Sequence, residues 1–130
     1  MGGTLKVLLI DDDLEILKCL EAALTLKGFA SDLFTRPKEA LEAYKQEKYD
    51  AVVTDLKMQE MDGIEVVRAI KKYNPDAYVI VISGFYDDFK SRMEKVEGVY
   101  TFLFKPLDIK ELLGALSRIE KELCAASNKK

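Results

Sequence analysis

Asp11, Asp12 and Asp13 stand in a row directly after the apolar run LKVLLI. Three adjacent carboxylates repel one another, because a neighbouring like charge disfavours ionisation. Such a row suits a bound cation, or a solvated turn in which one acid caps the next helix. Further along, Asp55 ends DAVVTD, Ser83 ends AYVIVIS, and Lys105 follows VYTFLF. Carboxylate oxygens favour a hard cation, and magnesium is held by one or two carboxylates together with water and substrate phosphate. A carboxylate beside that cation can attack phosphorus and form an aspartyl phosphate. A lysine ammonium and a serine hydroxyl would then hold the phosphoryl oxygens as charge develops.

Each residue also has a plainer role. An acid after a strand is commonly an N-cap, Asp55 before Leu56 reads as a turn, and Ser83-Gly84 and Lys105-Pro106 read as loops. What gives them weight is that all four follow short apolar runs, so the elements that carry them matter.

Those elements alternate between two periods. LKVLLI (residues 5–10), DAVVTD (50–55), AYVIVIS (77–83) and VYTFLF (99–104) are short apolar runs of the kind that form strands buried on both faces, and ASDLF (30–34) alternates like a strand nearer an edge. Between them lie helical patterns. Ile16, Leu17, Leu20, Ala23 and Leu24 share one face, and Gly28 is a C-terminal stop. PKEALEAYKQE opens with Pro37 in a first turn. GIEVVRAIKKY (63–73) ends before Asn74-Pro75. YDDFKSRMEKVEG (86–98) has the thinnest apolar face, formed by Phe89, Met93 and Val96. The last helix carries a stripe of Ile109, Leu112, Leu113, Leu116, Ile119 and Leu123, with Asp108 and Glu111 at capping-box spacing. Five strands alternating with five helices predict an α/β fold, a doubly wound five-stranded parallel sheet with helices on both faces. In such sheets ligands bind at the carboxyl ends of the strands, beside the point where strand order reverses. With the common order 2-1-3-4-5, Asp11, Asp12 and Asp55 would converge there, with Ser83 and Lys105 close by.

The totals agree with one domain. The chain has 130 residues, 48% hydrophobic and 33% charged, with a formal net charge of -3. That composition excludes disorder and is not basic enough for direct nucleic-acid binding through phosphates. The longest apolar runs fall short of the ~20 residues a membrane helix needs. Cys19 and Cys124 have no metal-ligand spacing, which points to reduced thiols and a cytoplasmic location. Histidine is absent, so the commonest general base and any self-phosphorylating histidine are excluded. A single domain over 1–130 is expected, with a core of about 5–123 and flexible termini at 1–4 and 125–130.

VLLIDDD, VVTDLKMQEMDG, VIVISG and FLFKP, in this order and spacing, resemble the chemotaxis-regulator-like receiver domains of bacterial two-component response regulators. The resemblance spans about residues 5–123. It implies a flavodoxin-like fold and a phosphorylation switch, not a turnover enzyme. Asp55 would be the phosphoacceptor, taking its group from a sensor histidine kinase or a phosphotransfer protein. Asp11 and Asp12 would be the acidic pair for Mg2+, or another divalent cation such as Mn2+, with Asp55 and the main-chain carbonyl of Lys57 completing the protein ligands. Asp13 is then the helix cap. Ser83 matches the switch hydroxyl, Lys105 the phosphoryl-binding lysine, and Phe102 the aromatic that changes rotamer. The Lys105-Pro106 bond is often cis in the family.

Departures from the pattern are few. Gln59 stands where the family often has proline, Ser83 replaces the commoner threonine, Gly84 the common alanine, and Phe102 lacks a tyrosine hydroxyl. Phosphorylation would draw Ser83 and Lys105 inward and reshape the face made by the fourth helix, fifth strand and fifth helix, which controls an output domain or partner and is a candidate homodimer surface. Two other readings compete. One is a receiver-like binding module that never takes phosphate. The other is a magnesium phosphohydrolase, which needs a second acid two residues after its nucleophile, where this chain has Lys57.

Overall fold

The computed structural model of the chain describes residues 5–84 and 97–128. Its elements are β1 (Lys6–Ile10), α1 (Leu14–Leu26), β2 (Ala30–Phe34), α2 (Pro37–Gln46), β3 (Ala51–Asp55), α3 (Gly63–Tyr73), β4 (Val79–Ser83), β5 (Val99–Phe104) and a C-terminal helix, α4 (Ile109–Asn128). The helix expected over 86–98 falls almost wholly on residues 85–96, outside those described; residues 97 and 98 form a turn.

All strand pairs are parallel and the order is β2-β1-β3-β4-β5, as the alternation predicted. Every residue of β3 and β4 is buried, which explains their unbroken apolar runs. The strands send alternate side chains to two cores. On one face Val7, Leu9, Val53, Ile80 and Ile82 meet Leu17, Leu20 and Leu24 of α1 and Leu112, Leu116 and Ile119 of α4. On the other, Leu8, Ile10, Val52, Val79 and Val81 meet Ala40 and Tyr44 of α2 and Ile64, Val67 and Ile70 of α3.

The ends of the elements follow local chemistry. Asp13 caps α1 by accepting from the Glu15 and Ile16 amides at 3.0 and 3.4 Å. Asp62 and Glu65 form a reciprocal capping box on α3. The box expected at Asp108 and Glu111 takes a different form. There the Asp108 carboxylate accepts from Lys110 N at 2.9 Å, while Glu111 N donates to the Asp108 carbonyl at 3.0 Å. β4 starts at Val79, not 77, because the Ala77 amide is taken by the Asn74 carbonyl in a turn. α4 runs on to Asn128, past the end of its apolar stripe at Leu123. Residues 125–128 are therefore helical where a flexible tail was expected; alanine is a strong helix former and prolongs the helix without burial. Tyr78 and Tyr100, in edge-to-face contact, both donate to Glu122 and fasten α4 to the sheet. No helix of the described residues is long and apolar enough to cross a membrane.

Candidate functional site

β1 and β3 are neighbours in the middle of the sheet; aspartate directly follows the first and ends the second. The chain leaves β1 at Ile10, so Asp11 and Asp12 begin the loop to α1, while Asp55 is the last residue of β3. One carboxylate oxygen from each of Asp11, Asp12 and Asp55 lies within 4.8 Å of the others. Asp11 and Asp55 are buried, at 5% and 6% exposure, whereas Asp12 faces solvent. The Asp11 carboxylate also accepts from the Asp13 amide at 2.9 Å, which sets the shape of the aspartate row. The row therefore divides its work: two carboxylates face the cluster and the third caps α1.

β4 and β5 bring the remaining groups. Ser83, 1% exposed, ends β4, and its carbonyl accepts from the Lys105 amide at 2.8 Å. That bond holds the lysine backbone against the serine. Lys105 then reaches back so that its Nζ lies 3.1 Å from Asp55 Oδ1. The Lys105-Pro106 peptide is cis. Lys57 lies two residues beyond Asp55 with its side chain exposed. Phe102 does not join the cluster. It pairs with Val81 and packs, half-buried, against the core on the α2–α3 face.

Burial sets the electrostatics. It pushes the Asp11 carboxyl up to about 6, with the charges of Asp55 and Asp12 adding to the rise and the Asp13 amide and Lys105 opposing it. Asp55 is also raised, chiefly by burial, while the hydrogen bond and charge of Lys105 hold it down. Among the described residues, two buried carboxylates and one exposed one share a single ammonium, that of Lys105 on Asp55. A divalent cation fits that donor set: oxygen ligands, clustered, and open to water on the Asp12 side.

Several contributors have no chemistry-bearing signature. A Cβ at Gly63 would sit 2.5 Å from the Asp55 carbonyl oxygen and 2.9 Å from Leu56 Cα, so only glycine lets α3 start against the end of β3. The Gly63 amide closes the intervening loop on the Leu56 carbonyl at 2.7 Å. Thr54, fully buried, donates to the Asp55 carbonyl at 3.0 Å. Gly63 stood out only as the last residue of VVTDLKMQEMDG and the first of a helical pattern; Thr54 carried no signal beyond its place in a strand. Gly84 is less constrained, since a Cβ there would meet Lys105 Cδ at an ordinary 3.5 Å.

Residues 7–117 match the response regulator receiver domain family. The chain is 33% identical over 117 residues to the transcriptional regulatory protein ZraR of Klebsiella oxytoca, covering 89% of this chain and 26% of that protein. It is 32% identical over 124 residues to the transcriptional regulatory protein GlrR of Escherichia coli, covering 95% and 28%. Thus it spans about a quarter of the length of these curated relatives. Among solved structures, a response regulator receiver domain protein from Clostridium thermocellum superposes with a TM-score of 0.86 at 27% identity, covering 94% of this chain and 98% of that one.

Proposed function

The chain belongs to the response regulator receiver domain family, and from that premise we propose that it is a phosphoaspartate switch in a two-component phosphorelay. Asp55 is the acceptor. One of its carboxylate oxygens attacks the phosphorus of a phosphohistidine on a partner histidine kinase or phosphotransfer protein. The new bond is Asp55 O–P; the bond broken is P–N, and the departing imidazole nitrogen takes its proton from solvent.

The chain's own residues divide the work. Asp11, Asp12, Asp55 and the Lys57 carbonyl would hold Mg2+, which when bound supplies charge neutralisation between the carboxylates and the incoming phosphoryl oxygens. Lys105 orients Asp55 before transfer and afterwards pairs with a phosphoryl oxygen. Ser83 stands at the next strand end, where its hydroxyl can follow the new group. Gly84, having no side chain, leaves room for it. Asp55 thereby changes from a buried carboxylate held by Lys105 to a group of about -1.5 to -2 charge. That charge draws Ser83 and Lys105 together, and because their backbones are already bonded at 2.8 Å, the shift reaches β5 and Phe102 directly. The readout surface is then β5 with the C-terminal helix α4, facing an output domain or partner protein in the cytoplasm. A phosphohydrolase of this kind needs a second carboxylic acid two residues after its nucleophile, and this chain has Lys57 there, which disfavours turnover of a metabolite.

The observation that carries this reading is the 3.1 Å Lys105–Asp55 contact within reach of the three-carboxylate cluster. Intact mass spectrometry after incubation with acetyl phosphate tests it. The expected result is a gain of one phosphoryl group that requires Mg2+ and disappears in Asp55→Asn. A folded wild-type protein that gains nothing with Mg2+ present would leave a phosphate-independent binding module instead.

A further inference from the structure

α2 starts without a local cap. Its N-cap residue is Arg36, in the extended conformation an N-cap adopts, yet its side chain makes no capping bond. Pro37 follows and has no amide hydrogen, so the Lys38 amide is the first that needs an acceptor. The acceptor comes from another part of the chain. Glu60 Oε1 receives the Lys38 amide at 3.0 Å, and its Oε2 lies 3.7 Å from Arg36 Nη2. The Glu60 side chain is only 24% exposed. It sits midway in the loop from β3 to α3, the loop that begins just after Asp55 and contains Lys57.

Among the described residues, that loop is also held at Leu56 and Gly63 by their mutual hydrogen bond, at Asp62 by the α3 capping box, and at Met58 and Met61 by packing against the core on the α2–α3 face. Gln59 places no restriction on φ. The contact with α2 adds a polar tie at Glu60, between the two methionines. It also forms one wall of a cavity of about 360 Å³ lined by Asp12, Thr35, Arg36, Pro37, Gln59 and Glu60. The cavity opens beside Asp12, so the α2 contact and the acidic cluster share a boundary.

We infer that Glu60 is a positioning residue: by capping α2 from the β3–α3 loop, it holds the Lys57 backbone in place for cation binding beside Asp12 and Asp55. The inference rests on the reading of this cluster as a divalent-cation site. Loss of the carboxylate removes this polar tie and loosens the loop between Met58 and Met61, and the free energy of reordering it weakens cation binding.

Three variants separate positioning from plain stability. Glu60→Ala removes the contact. Glu60→Gln keeps the reach and one acceptor oxygen. Arg36→Ser combined with Glu60→Ala gives α2 a local cap without restoring the loop contact. Amide hydrogen exchange on the metal-free protein reads the contact itself; Mg2+ titration by calorimetry reads its consequence. In Glu60→Ala, exchange is expected to rise at Lys38 and through residues 57–61, and Mg2+ binding to weaken roughly tenfold, as for a residue that orients metal ligands. Glu60→Gln stays much closer to wild type in both. The Arg36→Ser/Glu60→Ala protein recovers thermal stability but not Mg2+ affinity. Recovery of both would mean that Glu60 acts only through the helix, and the inference would fall. Wild-type affinity in Glu60→Ala would overturn it equally. If the wild type itself bound no Mg2+, the cation-site reading would fail, and the exchange data would still decide whether the contact exists.

Discussion

Lys105 Nζ lies 3.1 Å from Asp55 Oδ1, joining the end of β5 to the end of β3 across β4. The ammonium therefore compensates the Asp55 carboxylate, and in the proposed switch it does so before a phosphoryl group would arrive. Without it, burial acts on Asp55 with its main opponent gone and only the weaker pull of the Leu56 amide against it. In Lys105→Ala the Asp55 carboxyl should titrate at higher pH than in wild type, since the group that holds it down is gone. Carboxyl-carbon NMR titration reads this directly. An unchanged Asp55 titration would mean the contact carries no electrostatic weight.

Two glycines near this pair should behave oppositely. A Cβ on Gly63 would overlap the Asp55 carbonyl oxygen and Leu56 Cα, both backbone atoms that cannot swing aside. Gly63→Ala should therefore cost about 1–3 kcal/mol, the usual range for overpacking, and slow phosphorylation by displacing Asp55. Gly84→Ala meets only the flexible Lys105 stem at 3.5 Å and should change stability by less than about 0.5 kcal/mol. Urea denaturation of the two variants side by side makes the comparison; equal losses would contradict it.

How much of this was legible beforehand depended on the range of the signal. β2, α3 and β5 fell where period and composition put them, because hydrophobic alternation and the Asn74-Pro75 stop are local. The strand-end aspartates were legible because topology alone carries them to one place. The Lys105–Asp55 contact was legible only as proximity, since residues fifty apart in sequence meet through strand order. Glu60 carried no signal at all. Its role comes from the missing cap at Arg36-Pro37, and nothing in either segment alone names the partner. The extension of α4 past Leu123 escaped notice for a related reason: exposed helix has no apolar stripe to announce it. The Phe89, Met93 and Val96 pattern lies outside the described residues.

The division of labour in the aspartate row gives a double dissociation. Asp13 accepts two α1 amides, and replacing an aspartate N-cap with alanine typically costs about 1 kcal/mol. Asp13→Ala should lower stability by that order and leave Mg2+ binding nearly intact. Asp12 is exposed and within the carboxylate cluster, so Asp12→Ala should weaken Mg2+ binding strongly at little cost in stability, or even a gain through relieved repulsion. Denaturation and Mg2+ titration of both variants would expose any crossing of these roles.

Asp11 sets a pH dependence of the metal-free protein. Its carboxyl is raised from 3.8 to about 6 in the folded chain, chiefly by burial. Between those values the folded state binds the proton more tightly than the unfolded state. Asp11's contribution to stability therefore falls as pH rises through that interval, the reverse of the behaviour of a salt-bridged aspartate. Above about pH 6 the charged Asp11 remains a standing cost to the fold, and a bound cation removes it. Added Mg2+ should accordingly raise the melting temperature at pH 7.5 and lose most of that effect at pH 5, where protonated Asp11 no longer offers a charged ligand. Asp11→Asn should flatten its share of the metal-free pH profile. Thermal melts from pH 4 to 8, with and without Mg2+, decide the matter. A metal-free stability that changes from pH 4 to 6 by as much in Asp11→Asn as in wild type would show that Asp11 makes no such contribution.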